Sequence, residues 1–138
     1  MTQTKQKILN IVVPMAGRGS RFQEAGYAFP KPLIDIRGQT MVEVVVNNLR
    51  PKYNHRFIFI CNKEHTEKYD LRNILKRASR DKFEIVLNTA TTGAATAVLT
   101  AAQYIDNNND LLIANSDQFI QYDINDFIRK GRSKGDGL

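Results

Sequence analysis

The sequence predicts an α/β fold, in which a mostly parallel sheet carries helices on both of its faces. Apolar runs of strand length alternate with helical patterns along the whole chain. The first run, residues 8–13, is nearly continuous and rich in β-branched side chains, which is typical of a strand buried on both faces. The length of 138 residues, with 42% hydrophobic and 25% charged residues, fits one globular domain and argues against disorder.

The later elements follow in the order strand, loop, helix. Thr40 and Glu43 match the T-x-x-E capping box, so a helix is predicted over residues 40–49. The charged stretch 63–80 is predicted to be a broken helical region. Further strands are predicted at 56–61, 83–87 and 111–114, and helices at 94–105 and 124–130, the last capped by Asp123. Residues 135–138 are typical of a turn before another strand, so we expect the domain to be incomplete at its C-terminus.

Charge and cysteine content narrow the possible partners and location. The net charge is +6, but the basic residues are spread along alternating helices and strands without aromatic stacking platforms. We interpret them as a solvated face and do not expect a nucleic-acid partner. The run 8–13 is too short for a signal core or a membrane span, which predicts a cytoplasmic protein with no membrane partner. Cys61 lies in an apolar run and is expected to be a buried structural thiol, whereas His55 and His65 are expected at the surface.

A loop rich in glycine and basic residues follows the first strand. Gly17 and Gly19 let the backbone turn sharply and bring N–H groups close to a phosphate. Ser20 adds a hydroxyl group, and Arg21 adds a planar guanidinium that suits phosphate oxygens. Lys31 stands between two prolines, which stiffen its backbone. Together these residues predict a polyphosphate site.

Other glycine-rich motifs fit this loop less well. A dinucleotide fingerprint needs a third glycine where Phe22 stands, and the P-loop pattern G-x-x-x-x-G-K-[ST] is absent. A plain surface turn is the structural alternative. The full string G-R-G-S-R, followed by F-P-K-P-L directly after a buried strand, favours the phosphate site.

Two further segments have the composition of ligand-binding turns. Small residues at 89–97 would let a helix N-terminus approach a flat ligand, although they also suit close packing of a helix on a sheet. Asp117 follows the predicted strand 111–114 and could hold Mg²⁺ together with phosphate oxygens. A turn-forming or helix-capping aspartate is the alternative for this residue.

Residues 13–21, V-P-M-A-G-R-G-S-R, and residues 30–33, P-K-P-L, resemble the signature of the sugar-phosphate nucleotidylyltransferases. These pyrophosphorylases make NDP-sugars on a Rossmann-like nucleotidyltransferase fold, and residues 1–138 would form the nucleotide-binding part of such a domain. The resemblance implies that Lys31 and Arg21 act on the phosphates at the reacting centre and that Asp117 binds Mg²⁺. It implies nucleotide contacts by Ala16, Gly17, Gly19, Ser20, Asn88, Thr92 and Gly93.

Three departures from the family pattern are mild. Ser20 stands where threonine is common, Asn88 where glutamine often reads the base, and Ser116 where glycine usually precedes the aspartate. Asparagine offers the same donor and acceptor groups as glutamine on a shorter arm. The family's enzymes also extend well beyond the length of this chain.

The function predicted from this resemblance is transfer of a nucleotidyl group from an NTP to a sugar or polyol phosphate, for surface polysaccharide biosynthesis. A nucleotide-sugar glycosyltransferase is one alternative, since residues 115–117 form a degraded D-x-D. A non-catalytic nucleotide-binding domain is the other. The sequence leaves open which NTP and acceptor are used and whether the chain forms a homo-oligomer.

Overall fold

The computed structural model describes residues 8–15, 31–88, 99, 101–105, 108–114 and 123–134. A short 3-10 helix, Lys31–Leu33, precedes the second strand. The strands and α-helices in chain order are β1 (Leu9–Pro14), β2 (Asp35–Ile36), β3 (Gln39–Thr40), α1 (Met41–Leu49), β4 (His55–Asn62), α2 (Lys63–Lys68), α3 (Leu71–Ser79), β5 (Phe83–Asn88), α4 (Ala102–Ile105), β6 (Asp110–Ile113) and α5 (Ile124–Lys134).

Four strands form the main sheet in the order β5-β4-β1-β6. Strand β1 is parallel to both β4 and β6, and β4 is parallel to β5. The predicted parallel sheet is therefore confirmed. The connections are long crossovers that contain helices, as parallel strands require.

Side chains of the central strands alternate between two apolar layers. On β1, Ile11 and Val13 face the main core with helices α1, α3 and α5, while Val12 faces a second core with Ala101 beside α4. All three β1 side chains are fully buried. Because β1 is buried on both faces, apolar residues follow one another in its sequence and do not alternate with polar ones. Helices thus cover both faces, as predicted.

Helix α1 begins as the capping box predicts. The Thr40 hydroxyl accepts a hydrogen bond from the Glu43 N–H at 3.2 Å, and the Glu43 carboxylate accepts one from the Thr40 N–H at 2.8 Å. Val45 and Val46 lie in the main core, so packing offsets the low helix propensity of their β-branched side chains. The predicted break in stretch 63–80 is also confirmed, since Tyr69 and Asp70 separate α2 from α3.

The structure corrects the sequence prediction at several places. The antiparallel hairpin of β2 and β3 was not predicted, because its strands are only two residues long. Its turn uses left-handed backbone at Arg37 and Gly38. Helix α5 ends four residues later than predicted, since its last turn is held by an ion pair between Arg132 and Asp110 at 2.7 Å. The Asp123 carboxylate caps α5 as predicted, accepting from the Asn125 N–H at 2.9 Å.

Of two remaining predictions, the structure covers one in part and the other not at all. The predicted helix 94–105 agrees with α4 over Ala102–Ile105, and residues 91–98 lie outside the described part. The turn predicted at 135–138 lies outside it as well. In the described part of the chain, no helix is long and apolar enough to cross a membrane.

Candidate functional site

The last residues of the four parallel strands meet along one side of the sheet, here called the carboxyl edge. Strand β4 ends at Asn62, β5 at Asn88 and β6 at Ile113, beside the end of β1 at Pro14. Backbone hydrogen bonds continue one step beyond the strands, from Met15 N–H to the Ile60 carbonyl at 2.7 Å and from Ala114 N–H to the Val12 carbonyl at 2.9 Å. The bases of the loops that leave this edge are therefore anchored.

The order of the strands places a reversal in the direction of winding between β1 and β6. The chain steps from β1 to β4 and then to β5 on one side, and afterwards returns to add β6 on the other side of β1. In open α/β sheets, ligands bind at the carboxyl ends of the strands where the direction of winding reverses. This topological switch point lies between the loop that follows β1 and the segment that follows β6.

The predicted site residues all belong to segments that leave the carboxyl edge, but most lie outside the described residues. These are Ala16, Gly17, Gly19, Ser20 and Arg21 after β1, Thr92 and Gly93 after β5, and Asp117 after β6. In sequence, Asp117 comes four residues after the end of β6. The described structure thus brings together the strand ends from which the predicted site residues depart.

Lys31 opens the 3-10 helix Lys31–Leu33, which packs against α1. The Leu33 side chain contacts the main core, and the Met41 N–H donates to the Ile34 carbonyl at 2.9 Å. The backbone at Lys31 is therefore held by a packed neighbour on its C-terminal side. A fixed backbone of this kind suits a residue that contacts a ligand at a defined position.

Asn88 ends β5 directly beside Asn62, its partner in the parallel ladder. With a spacing of about 4.8 Å between neighbouring strands, the end of β5 lies roughly 10 Å to the side of β1 and two residues further along the strand direction than Pro14. A ligand that reached from Asn88 to the loop after β1 would therefore cross the end of β4.

Asn62 is a polar residue at this edge that the sequence prediction missed. Its side chain is only 7% exposed, and its oxygen accepts hydrogen bonds from the N–H groups of Glu64 at 2.9 Å and His65 at 3.3 Å. The signal in the sequence is an asparagine at the junction between an apolar run and a charged helical stretch.

The neighbouring Cys61 is fully buried, as predicted. Burial raises the pKa of its thiol to about 12, so the thiol stays protonated and unreactive near neutral pH. Within the described residues, no group of three or more His, Cys, Asp or Glu side chains could hold a metal ion.

Sequence comparison identifies the family. The profile of the family described as nucleotidyl transferase matches residues 11–138. The chain belongs to the nucleotidyl transferase family. The resemblance to the sugar-phosphate nucleotidylyltransferases, stated above from the residues, is thereby confirmed at the level of the family.

The curated relatives that the chain matches are much longer than the chain itself. It is 25% identical over 112 residues to the bifunctional protein GlmU of Buchnera aphidicola, matching 81% of the chain and 22% of that protein. It is 28% identical over 112 residues to the 2-C-methyl-D-erythritol 4-phosphate cytidylyltransferase of Thermosipho melanesiensis, matching 81% of the chain and 44% of that protein. The chain therefore spans less than half of either relative.

Solved structures support the same fold. The nucleoside-diphosphate-sugar pyrophosphorylase of Vibrio cholerae superposes with a TM-score of 0.63 at 28% identity, covering 83% of the chain and 51% of that structure. A nucleotidyl transferase of Methanothermobacter has a TM-score of 0.64 at 21% identity, covering 93% of the chain and 58% of that structure, and shows the fold alone. The predicted Rossmann-like fold is thus confirmed.

Proposed function

We propose that this nucleotidyl transferase joins an NTP to a sugar or polyol phosphate and releases pyrophosphate. The observation that carries the proposal is the topological switch point between β1 and β6, from which the two predicted phosphate- and metal-binding segments depart. A glycosyltransferase does not need to hold a triphosphate at the loop after β1. The family match favours nucleotidyl transfer over this alternative.

In the proposed reaction, an oxygen of the acceptor phosphate attacks the α-phosphorus of the NTP in line. The bond from the α-phosphorus to the bridging oxygen breaks, and pyrophosphate leaves with that oxygen. Arg21 and Lys31 neutralise charge on the phosphates as it shifts toward the leaving group. Backbone N–H groups at Gly17 and Gly19, with the Ser20 hydroxyl, hold the triphosphate in position.

Ala16 belongs to the same nucleotide-binding loop in this proposal. Asn88, Thr92 and Gly93 contact the nucleobase and ribose, since all three lie at or just after the end of β5. The sideways distance of roughly 10 Å between β5 and β1 suits a nucleotide lying across the edge with its phosphates toward β1.

Asp117 would hold Mg²⁺ in this site. The donor chemistry fits, because Mg²⁺ prefers oxygen ligands and is usually bound by one or two carboxylates together with substrate phosphates and waters. When bound, the ion would supply further neutralisation of phosphate charge. Asp117 follows β6, the strand next to β1, and so departs from the side of the topological switch point opposite the phosphate loop.

The acceptor class is proposed from the relatives. The names of the Vibrio cholerae and Thermosipho melanesiensis proteins refer to nucleoside-diphosphate sugars and to a polyol phosphate, respectively. Cleavage of a nucleoside-diphosphate sugar by pyrophosphate gives an NTP and a sugar phosphate, so both names point to a phosphate monoester on a sugar or polyol as the acceptor. The proposed role in making precursors of surface polysaccharide rests on the sugar-nucleotide product.

A direct test measures product formation by the 138-residue chain and, separately, NTP binding. The chain is incubated with each NTP, Mg²⁺ and a panel of sugar and polyol phosphates, and pyrophosphate release is followed together with mass spectrometry of the nucleotide product. Isothermal titration measures NTP binding even if turnover is slow. Absence of binding for all four NTPs would remove the proposal.

Binding should depend on the two cations of the phosphate site. Lys31→Ala and Arg21→Ala should each weaken NTP binding by about 1.5–3 kcal/mol, or roughly 10- to 150-fold, the effect of losing a charge-assisted hydrogen bond. Lys82→Ala and Arg80→Ala are matched controls. Both residues are exposed and lie just before the start of β5, at the end of the strand away from the carboxyl edge. Unchanged titration curves in both site variants would contradict the phosphate assignment.

The metal should matter only when nucleotide is present. Asp117→Asn should abolish the Mg²⁺ dependence of NTP affinity and leave the melting temperature unchanged, because one carboxylate alone binds Mg²⁺ weakly. Asp81→Asn is the matched control, because Asp81 is exposed and precedes the start of β5, at the end of the strand away from the carboxyl edge. A loss of folding stability without any change in Mg²⁺ dependence would instead identify Asp117 as a capping residue.

A further inference from the structure

In the described structure, the Asn62 side chain makes hydrogen bonds through its amide oxygen and not through its amide nitrogen. Its oxygen accepts from two backbone N–H groups at the start of α2, and both partners are donors, which fixes the assignment of oxygen and nitrogen. The amide nitrogen carries two N–H donors. Within the described residues, Nδ2 makes no hydrogen bond, and this atom keeps some contact with solvent although the residue as a whole is only 7% exposed.

The amide is held firmly in place. Asn62 is the last residue of β4 and pairs with Asn88 in the ladder. Its backbone carbonyl accepts a hydrogen bond from the Thr66 hydroxyl at 2.8 Å. Because the oxygen faces the N–H groups of α2, the nitrogen on the other branch of the amide faces away from them. A fixed donor pair of this kind is pre-organised for an acceptor.

The position of Asn62 indicates which part of a ligand it would meet. Strand β4 lies between β5, which ends at Asn88, and β1, which leads to the phosphate loop. Each neighbouring strand is about 4.8 Å away. A nucleotide with its base near Asn88 and its phosphates near the loop after β1 has its ribose above the end of β4.

We propose that Asn62 Nδ2 donates a hydrogen bond to a ribose oxygen of the bound nucleotide. The inference rests on the proposed function and adds a nucleoside-contacting residue to it. A donor at this point would make the protein prefer a nucleoside triphosphate over a bare polyphosphate chain. The rival explanation is that Asn62 only caps α2.

Two substitutions separate these roles. Serine and aspartate are as good as asparagine at a helix N-cap, so Asn62→Ser and Asn62→Asp keep an oxygen for the N–H groups of Glu64 and His65. Both remove the NH₂ group, and the serine variant does so without adding charge. Asn47→Asp is the matched control for added charge, because Asn47 is exposed near the end of α1.

The experiment compares NTP with inorganic tripolyphosphate as titrants for the wild-type chain and the three variants, with melting temperatures recorded in parallel. We expect Asn62→Ser and Asn62→Asp to lower the ratio of NTP affinity to tripolyphosphate affinity about three- to tenfold, the effect of one neutral hydrogen bond. Their melting temperatures should stay at the wild-type value, and Asn47→Asp should leave the ratio unchanged.

An unchanged ratio in both Asn62 variants, with a wild-type chain that binds NTP, would overturn this inference and leave the proposed function standing. A wild-type chain that binds no NTP would overturn both. If the melting temperature falls while the ratio stays constant, Asn62 is a capping residue only.

Discussion

At the scale of single residues, His55 has surroundings that disfavour its charged form. Its Nδ1 lies 2.8 Å from the Tyr53 carbonyl and donates to it, and its ring packs edge-on against Phe57. Nε2 is buried and has no hydrogen-bond partner in the described structure. Burial, followed by the positive charges of Lys82 and Arg50, lowers the pKa of His55, although the Tyr53 carbonyl opposes this shift.

The consequence is a loss of stability on acidification. Because the pKa of His55 is lower in the folded than in the unfolded chain, its contribution is fully present above the unfolded value of about 6.5 and is lost as the pH falls through the folded value. The free energy of unfolding should therefore fall less between pH 7 and pH 5 in His55→Asn than in the wild type. Urea denaturation followed by circular dichroism at each pH measures it.

A control variant makes the assignment specific. His65→Asn removes the other histidine and keeps the His55 imidazole, so it should retain the part of the slope that His55 produces. Parallel pH profiles for the wild type and His55→Asn would show that His55 does not titrate in this range. If only His65→Asn loses the pH dependence of stability, that dependence comes from His65 and the assignment to His55 is wrong.

The roles of single residues could be predicted where they depend on near neighbours in the chain. Thr40 and Glu43 are three residues apart, and their capping box forms as predicted. The surface position expected for His55 and His65 is only partly confirmed, because both residues are half-buried and Nε2 of His55 is fully buried. Most of the predicted site residues lie outside the described part, and their roles stay predictions.

At the scale of elements, a polar network joins α4 to the sheet. Asn10 Nδ2 donates to the Tyr104 carbonyl at 3.2 Å, and Arg56 donates to the same carbonyl at 3.1 Å and to Asn10 Oδ1 at 3.0 Å. The Arg56 guanidinium also lies 5.3 Å from the centre of the Tyr104 ring. The contacts satisfy a carbonyl at the end of the helix, but their partners are too far apart in sequence to be predicted.

The end of α3 holds two consecutive non-glycine residues in left-handed backbone, Arg80 with φ 54° and Asp81 with φ 68°. Outside glycine, asparagine and aspartate, this conformation costs roughly 1–2 kcal/mol. Arg80→Gly should therefore stabilise the fold by about 0.5–1 kcal/mol, after the extra entropy of glycine in the unfolded chain. Urea unfolding at pH 7 measures the change.

Lys76→Gly provides the control, because Lys76 has helical backbone in the last turn of the same helix and its side chain is exposed, in an ion pair with Asp81 at 3.8 Å. It should destabilise the fold by about 1 kcal/mol, the usual cost of glycine within a helix. If both glycine variants lose stability to the same extent, the left-handed strain at Arg80 has no energetic effect.

The type of most elements could be predicted, because a buried strand and an amphipathic helix have different apolar periodicities. The hairpin of β2 and β3 could not, since strands of two residues have no periodicity to detect. The late end of α5 depends on Arg132, which bridges to Asp110 and lies 5.1 Å from the Tyr53 ring centre. Contacts with other elements decide such boundaries.

At the scale of the whole molecule, the order of the strands decides where a ligand can bind. Alternation of strands and helices predicted a parallel sheet, but it did not indicate on which side of β1 the last strand would pair. The structure pairs β6 with β1 on the side away from β4. That arrangement puts the topological switch point between β1 and β6, which sequence pattern alone could not locate.

The same arrangement leaves β6 at an edge of the described sheet. Among the described strands it pairs only with β1, so one side of its backbone has no partner strand there. Leu111 and Ile113 are 45% and 52% exposed, whereas Leu112, on the opposite face, packs against the main core. An unpaired edge beside exposed apolar side chains is a surface on which strands associate.

We therefore expect the 138-residue chain to self-associate through β6 as its concentration rises. Ile113→Lys should shift the equilibrium toward the monomer by placing a charge in the apolar contact, as edge lysines do in natural sheets. Sedimentation velocity over a concentration series measures the shift. Leu87→Lys is the control, because Leu87 is 52% exposed on β5 at the other edge of the sheet. A chain that stays monomeric at every concentration and melts in one sharp transition would contradict the prediction, and equal effects of both lysine variants would show that association is not specific to β6.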